Sequence, residues 1–326
     1  MSRRIMRPRL NMLAAAALFL VAAIGPACAQ TGSSDIVKIG FQRSSTLTAI
    51  LKANGELEKA LAPLGIRVTW HEFTSGLPLL EALNIGSIDF SADVADTVPI
   101  FAQAAGAKIV YVAEEAASPT AQAIVVPADS PIATLKDLKS KKIAVTKGAG
   151  SHYLLLVALG SAGLSLKDVS PAYLTPADGR AAFVSKNVDA WVAWDPFLTS
   201  ARRQYGAKVL ADGTGLASYK RYYLASETFA QRRGNILAII YAKLDETGRW
   251  AKQHPKEAAG LLAAIWGIDA DTVEDANSHR SYKVGPVTRD GLSEQQKIAD
   301  VFLAEGLIPQ RVDTGKITIW QPERGN

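Results

Sequence analysis

The sequence predicts an α/β protein whose sheets are mostly parallel and are flanked by helices. Short apolar runs alternate with helical patterns through most of the chain, and the connections between them are short. This alternation falls into two groups, and a mainly helical part follows them. Strands that alternate with helices favour parallel pairing, because each helix carries the chain back to the start of the next strand.

The first group of elements lies between residues 37 and 112. The predicted strands are 37–41, 68–73, 88–90 and 109–112, and the predicted helices are 46–61, one beginning near Pro78, and 97–105. Proline suits a helix start, since the first N–H groups of a helix have no partner within it.

The second group again alternates strands and helices, and the C-terminal part is mainly helical. The predicted strands are 123–126, 142–145, 172–174, 190–194 and 208–210, and the predicted helices are 134–138, 151–162, 176–185, 196–205, 235–253, 256–265 and 293–305. Ser293 and Gln296 have the spacing of a capping box at the start of the last helix.

The two groups of alternating strands and helices indicate that the protein has two lobes. Lobe I comprises residues 30–122 and 223–326, and lobe II comprises 123–222. The joins, near 121–125 and 222–225, are strand-like rather than rich in glycine and serine. A hinge of two strands is typical of proteins whose lobes close around a ligand.

Residues 1–29 have the pattern of a secretory signal cleaved after Ala29. Four arginines precede an apolar run over 13–24, which is shorter than the roughly 20 residues that cross a bilayer. Ala27-Cys28-Ala29 then offers small residues to a signal peptidase. Lipid attachment to Cys28 is the alternative, although Gly25 and Pro26 match that signal poorly.

Removal of this segment changes what the composition indicates. It takes away the single cysteine and lowers the formal net charge from +5 to 5 − 4 = +1. A nearly neutral chain gives no electrostatic support for nucleic-acid binding.

Small polar residues follow the predicted strands, just before helices begin. These segments are 42–45, 74–76, 148–151, 174–176 and 194–196. Unpaired N–H groups and the helix dipole make such positions suitable for anions without a cationic side chain. In open α/β sheets these loops meet in one crevice. Each of them can also be an ordinary helix cap.

Known catalytic and metal-binding patterns are missing from the sequence. The loop 147–151 lacks the Gly-Lys-Ser/Thr ending of a phosphate-binding loop, and no Gly-x-Ser-x-Gly occurs. The four histidines lack the spacing of metal ligands. We therefore expect no catalytic residue, no metal and no cofactor.

Several side chains near the predicted crevice have two interpretations. We place three acidic residues in loops near the crevice: Asp93, Asp96 and Asp195. In one interpretation they cap helices or pair with Arg180 or Arg43. In the other, one of them contacts a positive group on a ligand. Trp194 lays its face on an aliphatic tail or packs in the core. His152, in the first turn of a helix, donates a hydrogen bond to the ligand or is solvated.

Six segments carry a family resemblance: 80–89, 99–107, 147–152, 173–178, 187–191 and 194–196. Through them the chain resembles the aliphatic sulfonate-binding proteins of bacterial ABC importers, in the wider nitrate, sulfonate, taurine and thiamine-precursor group. The resemblance implies a two-lobe periplasmic-binding-protein type II fold with a ligand cleft between the lobes. It also implies a periplasmic monomer that binds alkanesulfonates and delivers them to an ABC permease in the inner membrane for sulfur acquisition.

The resemblance also implies which residues contact the ligand. Carried over by position, the anion-contacting residues are Gln42, Ser44, Ser75, Gly76, Asp96, Thr97, Gly150 and Ser151, with His152 beside them and Trp194 and Asp195 on the tail side. Asp93 departs from the family pattern, and this extra acid narrows the anion site or selects an amino-bearing sulfonate. The alternatives are taurine, nitrate or a thiamine precursor as ligand, and an enzyme on the same fold.

Overall fold

The computed structural model describes residues 35–321 and contains two β-sheets flanked by helices. The predicted signal segment 1–29, with Cys28, lies outside the described residues. The strands are β1 (Asp35–Gln42), β2 (Ile66–Phe73), β3 (Phe90–Ala95), β4 (Ile109–Glu115), β5 (Gln122–Val126), β6 (Lys142–Val145), β7 (Ser170–Tyr173), β8 (Ala190–Trp194), β9 (Lys208–Asp212), β10 (Arg221–Ser226), β11 (Val284–Gly285) and β12 (Thr318–Ile319). The helices are α1 (Thr46–Asn54), α2 (Glu56–Leu61), α3 (Gly76–Asn84), α4 (Thr97–Ala104), α5 (Gly150–Ser161), α6 (Pro176–Val184), α7 (Phe197–Tyr205), α8 (Glu227–Arg232), α9 (Gly234–Gln253), α10 (Pro255–Trp266), α11 (Ala270–Ser278) and α12 (Ser293–Ala304).

The predicted α/β class is confirmed, and both sheets are mixed in strand direction. The first sheet has the order β11-β4-β10-β3-β1-β2, with β12 also paired to β4, and the second has the order β7-β6-β8-β5-β9. The antiparallel strands β10 and β5 each separate parallel neighbours. Each enters its sheet directly from a segment that comes from the other sheet, so no βαβ crossover forces it to run parallel.

Alternate residues of each sheet pack into different apolar cores, as expected for buried strands with period two. On one face of the first sheet, Ile39 and Tyr223 pack with α1, α9 and α10, and on the other face Tyr111 and Leu224 pack with α3 and α4. The second sheet is likewise covered by α5 and α12 on one face and by α6 and α7 on the other. Helices on both faces explain why β5 and β8, in the middle of the second sheet, are almost wholly apolar.

Several predicted elements differ in detail from the structure. The predicted helix 46–61 is divided at Gly55, whose φ of 67° ends α1 in the left-handed region. The predicted capping box at Ser293 is wrong. A short 3₁₀ turn precedes α12, so Ser293 already lies inside helical backbone, and the Gln296 side chain bonds to Asp300 and Thr314 instead.

The chain passes between the two sheets through residues 116–121 and 213–220. Most helices after β10 pack on the first sheet, but α12 packs beside α5 through Ile298 and Phe302. Within residues 35–321, no helix has both the length and the apolar character that a bilayer span requires.

Candidate functional site

An open cavity of about 360 Å³ lies between loops of the two sheets. Its walls come from the ends of β1, β2 and β8, the start of α6 and the end of α10. The lining residues are Gln42, Arg43, Ser44, Glu72, Phe73, Thr74, Thr175, Pro176, Ala177, Arg180, Trp194, Pro196, Phe197, Ser200, Gln204, Trp266, Gly267 and Ile268. Four aromatic rings, those of Phe73, Trp194, Phe197 and Trp266, make much of this outer cavity apolar.

A smaller recess of about 20 Å³ shares Gln42 and Trp194 with the outer cavity. Two helices begin at this inner recess, α3 at Gly76 and α5 at Gly150, and neither has a side-chain cap among the described residues. The first N–H groups of such helices lack partners within the helix and lie at the positive end of its dipole. The recess therefore offers two sets of neutral donors to an anion.

Both helix starts need glycine because other groups approach them closely. A Cβ atom on Gly76 would lie 2.8 Å from Val98 Cγ2, and one on Gly150 would lie 2.6 Å from Tyr219 Cε2. Tyr219 belongs to the segment that joins the two sheets, so Gly150 lets α5 approach that segment.

A buried cluster of four charged residues lies beside the recess. Arg221, which lines the recess, places Nε 2.5 Å from Asp93 Oδ2, and Arg280 places Nη2 2.5 Å from Glu115 Oε2 and 3.5 Å from Asp93 Oδ2. Tyr223 donates to Glu115 at 2.6 Å. Burial raises the pKa of Asp93 against the pull of Arg221. Burial acts on Glu115 in the same direction, but the charges of Arg280 and Arg221 and the hydrogen bonds from Tyr223 and Arg280 together lower its pKa.

The predicted position of Asp93 in a loop is wrong. It lies inside β3 with its side chain fully buried, and its partners are Arg221 and Arg280 rather than Arg180 or Arg43. Arg43 instead pairs with Glu72 on the wall of the outer cavity.

Six of the eleven predicted site residues line the two cavities, and five do not. Those that line them are Gln42, Ser44, Ser75, Gly76, Gly150 and Trp194. Those that do not are Asp96, Thr97, Ser151, His152 and Asp195.

The two residues at the start of α4 hold loops together. Thr97 Oγ1 donates to the carbonyl of Gly148 at 2.8 Å, which joins α4 to the loop before α5. Asp96 accepts the N–H of Lys220 at 3.1 Å, and burial raises its pKa to about 7.

The first turn of α5 is buried rather than solvated. His152 Nδ1 accepts the N–H of Gly148 at 3.2 Å, and its ring lies against Tyr173 and Phe302. The hydroxyl of Ser151 is buried without a hydrogen-bond partner among the described residues. The interpretation of His152 as a solvated residue is therefore wrong.

Asp195 connects α7 to the segment after α11. One carboxylate oxygen accepts from the N–H and the hydroxyl of Thr199, as a helix cap does, and the other lies 2.7 Å from His279 Nδ1. The hydrogen bond to Asp195 raises the pKa of His279, whereas burial raises that of Asp195.

Trp194 packs in the core and also faces the cavities, so its predicted contact with an aliphatic tail stays a prediction. The side chain is 6% exposed and packs in the core, yet it lines both cavities and donates from Nε1 to Ser44 Oγ at 3.4 Å.

Four lining residues were not predicted from the sequence: Arg221, Phe73, Phe197 and Trp266. Arg221 had a signal, since it is a charge at the edge of the apolar run 222–225. Trp266 lines the cavity because α10 ends there, and its Nε1 donates to the carbonyl of Arg43 at 2.6 Å. Among the described residues, no group of three or more His, Cys, Asp or Glu is arranged to hold a metal ion.

Comparison with known proteins agrees with this architecture. The family described as NMT1/THI5 like matches residues 63–258. A curated Escherichia coli sequence named for aliphatic sulfonate binding is 41% identical over 297 residues, which cover 91% of this chain and 92% of the relative.

Two solved structures extend the comparison to three dimensions. The alkanesulfonate-binding protein SsuA from Xanthomonas axonopodis pv. citri, bound to MOPS, is 36% identical with a TM-score of 0.82, and the match covers 87% of this chain and 98% of that one. The periplasmic aliphatic sulphonate binding protein SsuA from Escherichia coli is 40% identical with a TM-score of 0.81, covering 90% and 94%. The desulfurization enzyme DSZB, at 15% identity and a TM-score of 0.64, shares the fold alone. The matched span of the family and the 41% identical relative establish that the chain belongs to the NMT1/THI5-like family.

Proposed function

We propose that this protein binds alkanesulfonates, with the sulfonate group in the inner recess and the tail in the outer cavity. The observation that carries this proposal is the convergence of two uncapped helix starts, Gly76 and Gly150, on one recess. A sulfonate is ionised at physiological pH and its three oxygens accept several N–H donors at once. The recess of about 20 Å³ holds roughly one water, so a sulfonate enters it as the loops move slightly apart.

The outer cavity suits an apolar tail. Its volume of about 360 Å³ lies at the lower end of the range of ligand pockets, and four aromatic rings face it. Each CH₂ group buried there contributes about 0.8 kcal/mol, or roughly a fourfold gain in affinity. Affinity should therefore rise with tail length until the cavity is filled.

We propose that the protein works as a monomer in the periplasm and delivers its ligand to an ABC permease in the inner membrane. The predicted signal at 1–29 supports export, and the solved Escherichia coli relative is described as periplasmic. The lobes proposed from the sequence, 30–122 with 223–326 and 123–222, supply the two halves of a closing cleft.

Binding without catalysis is the function that the lining favours. Neither cavity has a His or Cys among its described lining residues, and the one lining carboxylate, Glu72, is paired with Arg43. General acid–base chemistry and nucleophilic attack most often use such groups. Saturable conversion of an alkanesulfonate, measured by chromatography after prolonged incubation, would instead favour an enzyme.

The position of Asp93 bears on amine-bearing ligands such as taurine. Its side chain lines neither cavity and is paired with two arginines, so it is not free to meet an ammonium group. Asp93 therefore gives no support to the interpretation that the site selects an amino-bearing sulfonate.

Isothermal titration calorimetry tests the proposal directly. The chain from residue 30 is titrated with ethane-, butane- and hexanesulfonate and, in parallel, with taurine, nitrate, sulfate and a thiamine precursor. We expect binding of the alkanesulfonates, with affinity increasing along the series. Binding of another class with no heat from any sulfonate would overturn the proposal.

A further inference from the structure

Among the described residues, the outer cavity is lined by one positive charge without a partner. Arg180 lies on α6 and lines the cavity, its side chain is exposed, and it makes no hydrogen bond or ion pair with any other residue of 35–321. The helix places it beside Thr175, Pro176 and Ala177, which line the same wall.

The other charges on these walls cancel. Arg43 and Glu72 pair with each other across 3.0 Å, and Arg221 in the inner recess pairs with Asp93. No other lysine, arginine, aspartate or glutamate lines either cavity in the described part of the chain. Arg180 therefore gives the outer cavity a net charge of about +1. This charge lies where the tail is proposed to bind, away from the helix starts at the inner recess.

We propose that Arg180 selects sulfonates whose tail carries a second anionic group, a carboxylate or another sulfonate, over tails that are neutral or end in an ammonium group. This inference rests on the proposed function and specifies its ligand class. A guanidinium presents a planar pair of donors that matches a carboxylate, and it is always charged. An ammonium-ended tail meets the same charge with repulsion, and no unpaired carboxylate lines the described cavity walls to offset it.

The expected preference is modest because Arg180 is exposed to solvent. Exposed ion pairs in proteins contribute up to about 1 kcal/mol, which corresponds to about a fivefold change in affinity. Preference for the doubly anionic ligand should thus be about fivefold over the neutral one, and larger over the amino-bearing one.

Calorimetry with matched ligands tests this inference. Three series of equal length are compared: alkanesulfonates, ω-carboxyalkanesulfonates and ω-aminoalkanesulfonates, each with two to five carbons between the end groups. The proteins are the wild type, Arg180→Gln, Arg180→Lys and the control Arg311→Gln. The control removes the same charge from an exposed residue that lines neither cavity.

In the wild type, at least one carboxylate-ended ligand should bind about fivefold more tightly than its alkyl counterpart. In Arg180→Gln this ratio should fall to about one, Arg180→Lys should retain part of it, and Arg311→Gln should retain all of it. An unchanged ratio in Arg180→Gln, or no wild-type preference at any length, overturns the inference while leaving sulfonate binding intact. If no sulfonate binds the wild type, the proposed function fails and this inference fails with it.

Discussion

His152 is buried in the first turn of α5, where its Nδ1 accepts the N–H of Gly148. Gly148 has a φ of 73°, which few residues other than glycine adopt readily, so this hydrogen bond helps to hold the loop that leads into the recess. Burial, with a smaller contribution from Lys147, lowers the pKa of His152 to about 4. The ring is therefore neutral at physiological pH, as an acceptor of the Gly148 N–H has to be.

The lowered pKa predicts a loss of stability in acid. In the unfolded chain a histidine binds its proton near pH 6.5, whereas the folded protein resists protonation of His152 down to about pH 4. Its contribution is fully present above about pH 6.5 and is lost as the pH falls towards 4, by up to about 3 kcal/mol. Urea unfolding at stepped pH should show this loss.

His152→Gln keeps an acceptor for Gly148 and should make the curve flatter between pH 6.5 and 4. The same change at His71, an exposed histidine of β2, should leave the curve as in the wild type. Equal curves for His152→Gln and the wild type would contradict the assignment.

For single residues, the sequence predicted which polar loops line the recess but not the ion-pair partners of the buried charges. Gln42, Ser75 and Gly150 could be predicted because each lies where a strand gives way to a helix. The partners of Asp93 could not, since Arg221 and Arg280 lie more than 100 residues away along the chain. Only the folded sheet brings these charges together.

The start of α5 is the element on which the proposed anion site depends most. It begins at the inner recess, its preceding loop is held by Thr97 and His152, and Gly150 lies against Tyr219. A helix that begins one residue later, or is displaced from Tyr219, would direct its N–H groups elsewhere.

Gly150→Ala should weaken alkanesulfonate binding by about tenfold. The new Cβ would lie 2.6 Å from the Tyr219 ring and 3.2 Å from Ala95, and relieving such overlap typically costs about 1–3 kcal/mol. Calorimetry with butanesulfonate measures the change.

Gly160→Ala is the matched control on the same helix. An added Cβ at Gly160 meets no atom of residues 35–321 within 4 Å, so this variant should keep the wild-type affinity and gain about 0.4–1 kcal/mol in stability. Equal affinity losses in the two variants would contradict this prediction, because any alanine substitution in α5 would then weaken binding, with or without contact to Tyr219.

The order of strands and helices could be read from the sequence, while several boundaries could not. Periodicity places the elements, but β3 extends to Ala95 beyond the predicted 88–90 because the polar Ser91 and Asp93 are paired inside the sheet. Ser293 matched a cap in spacing, yet a preceding turn had already started the helical backbone. Tertiary contacts therefore determine both the end of β3 and the start of α12.

In the described residues, the two sides of the cleft are joined by the connecting segments 116–121 and 213–220, by apolar packing of α12 on α5, and by a small set of polar contacts. Thr97 contacts Gly148, Trp194 contacts Ser44, and Asp195 contacts His279. We propose that the two connecting segments act as the hinge. The polar contacts are few, but α12 also packs against α5 through Ile298 and Phe302, so α12 and α5 should stay together when the cleft opens.

Small-angle scattering should detect this motion. We expect the radius of gyration to decrease when saturating butanesulfonate is added to the ligand-free protein, because the ligand holds both sides of the cleft together. A sugar that gives no heat in calorimetry serves as the control. Identical scattering with and without butanesulfonate would contradict the hinge.

The cluster of Asp93, Glu115, Arg221 and Arg280 has a further consequence for how a ligand leaves. Its formal charges sum to zero, two positive and two negative, and the helix starts at the recess contribute neutral donors. A bound sulfonate would thus keep its own negative charge, because Arg221, the one cation that lines the recess in the described residues, is already paired with Asp93. When the cleft opens, water can replace the N–H donors directly, and the anion departs without carrying a proton, while Arg221 at the recess keeps its ion pair with Asp93.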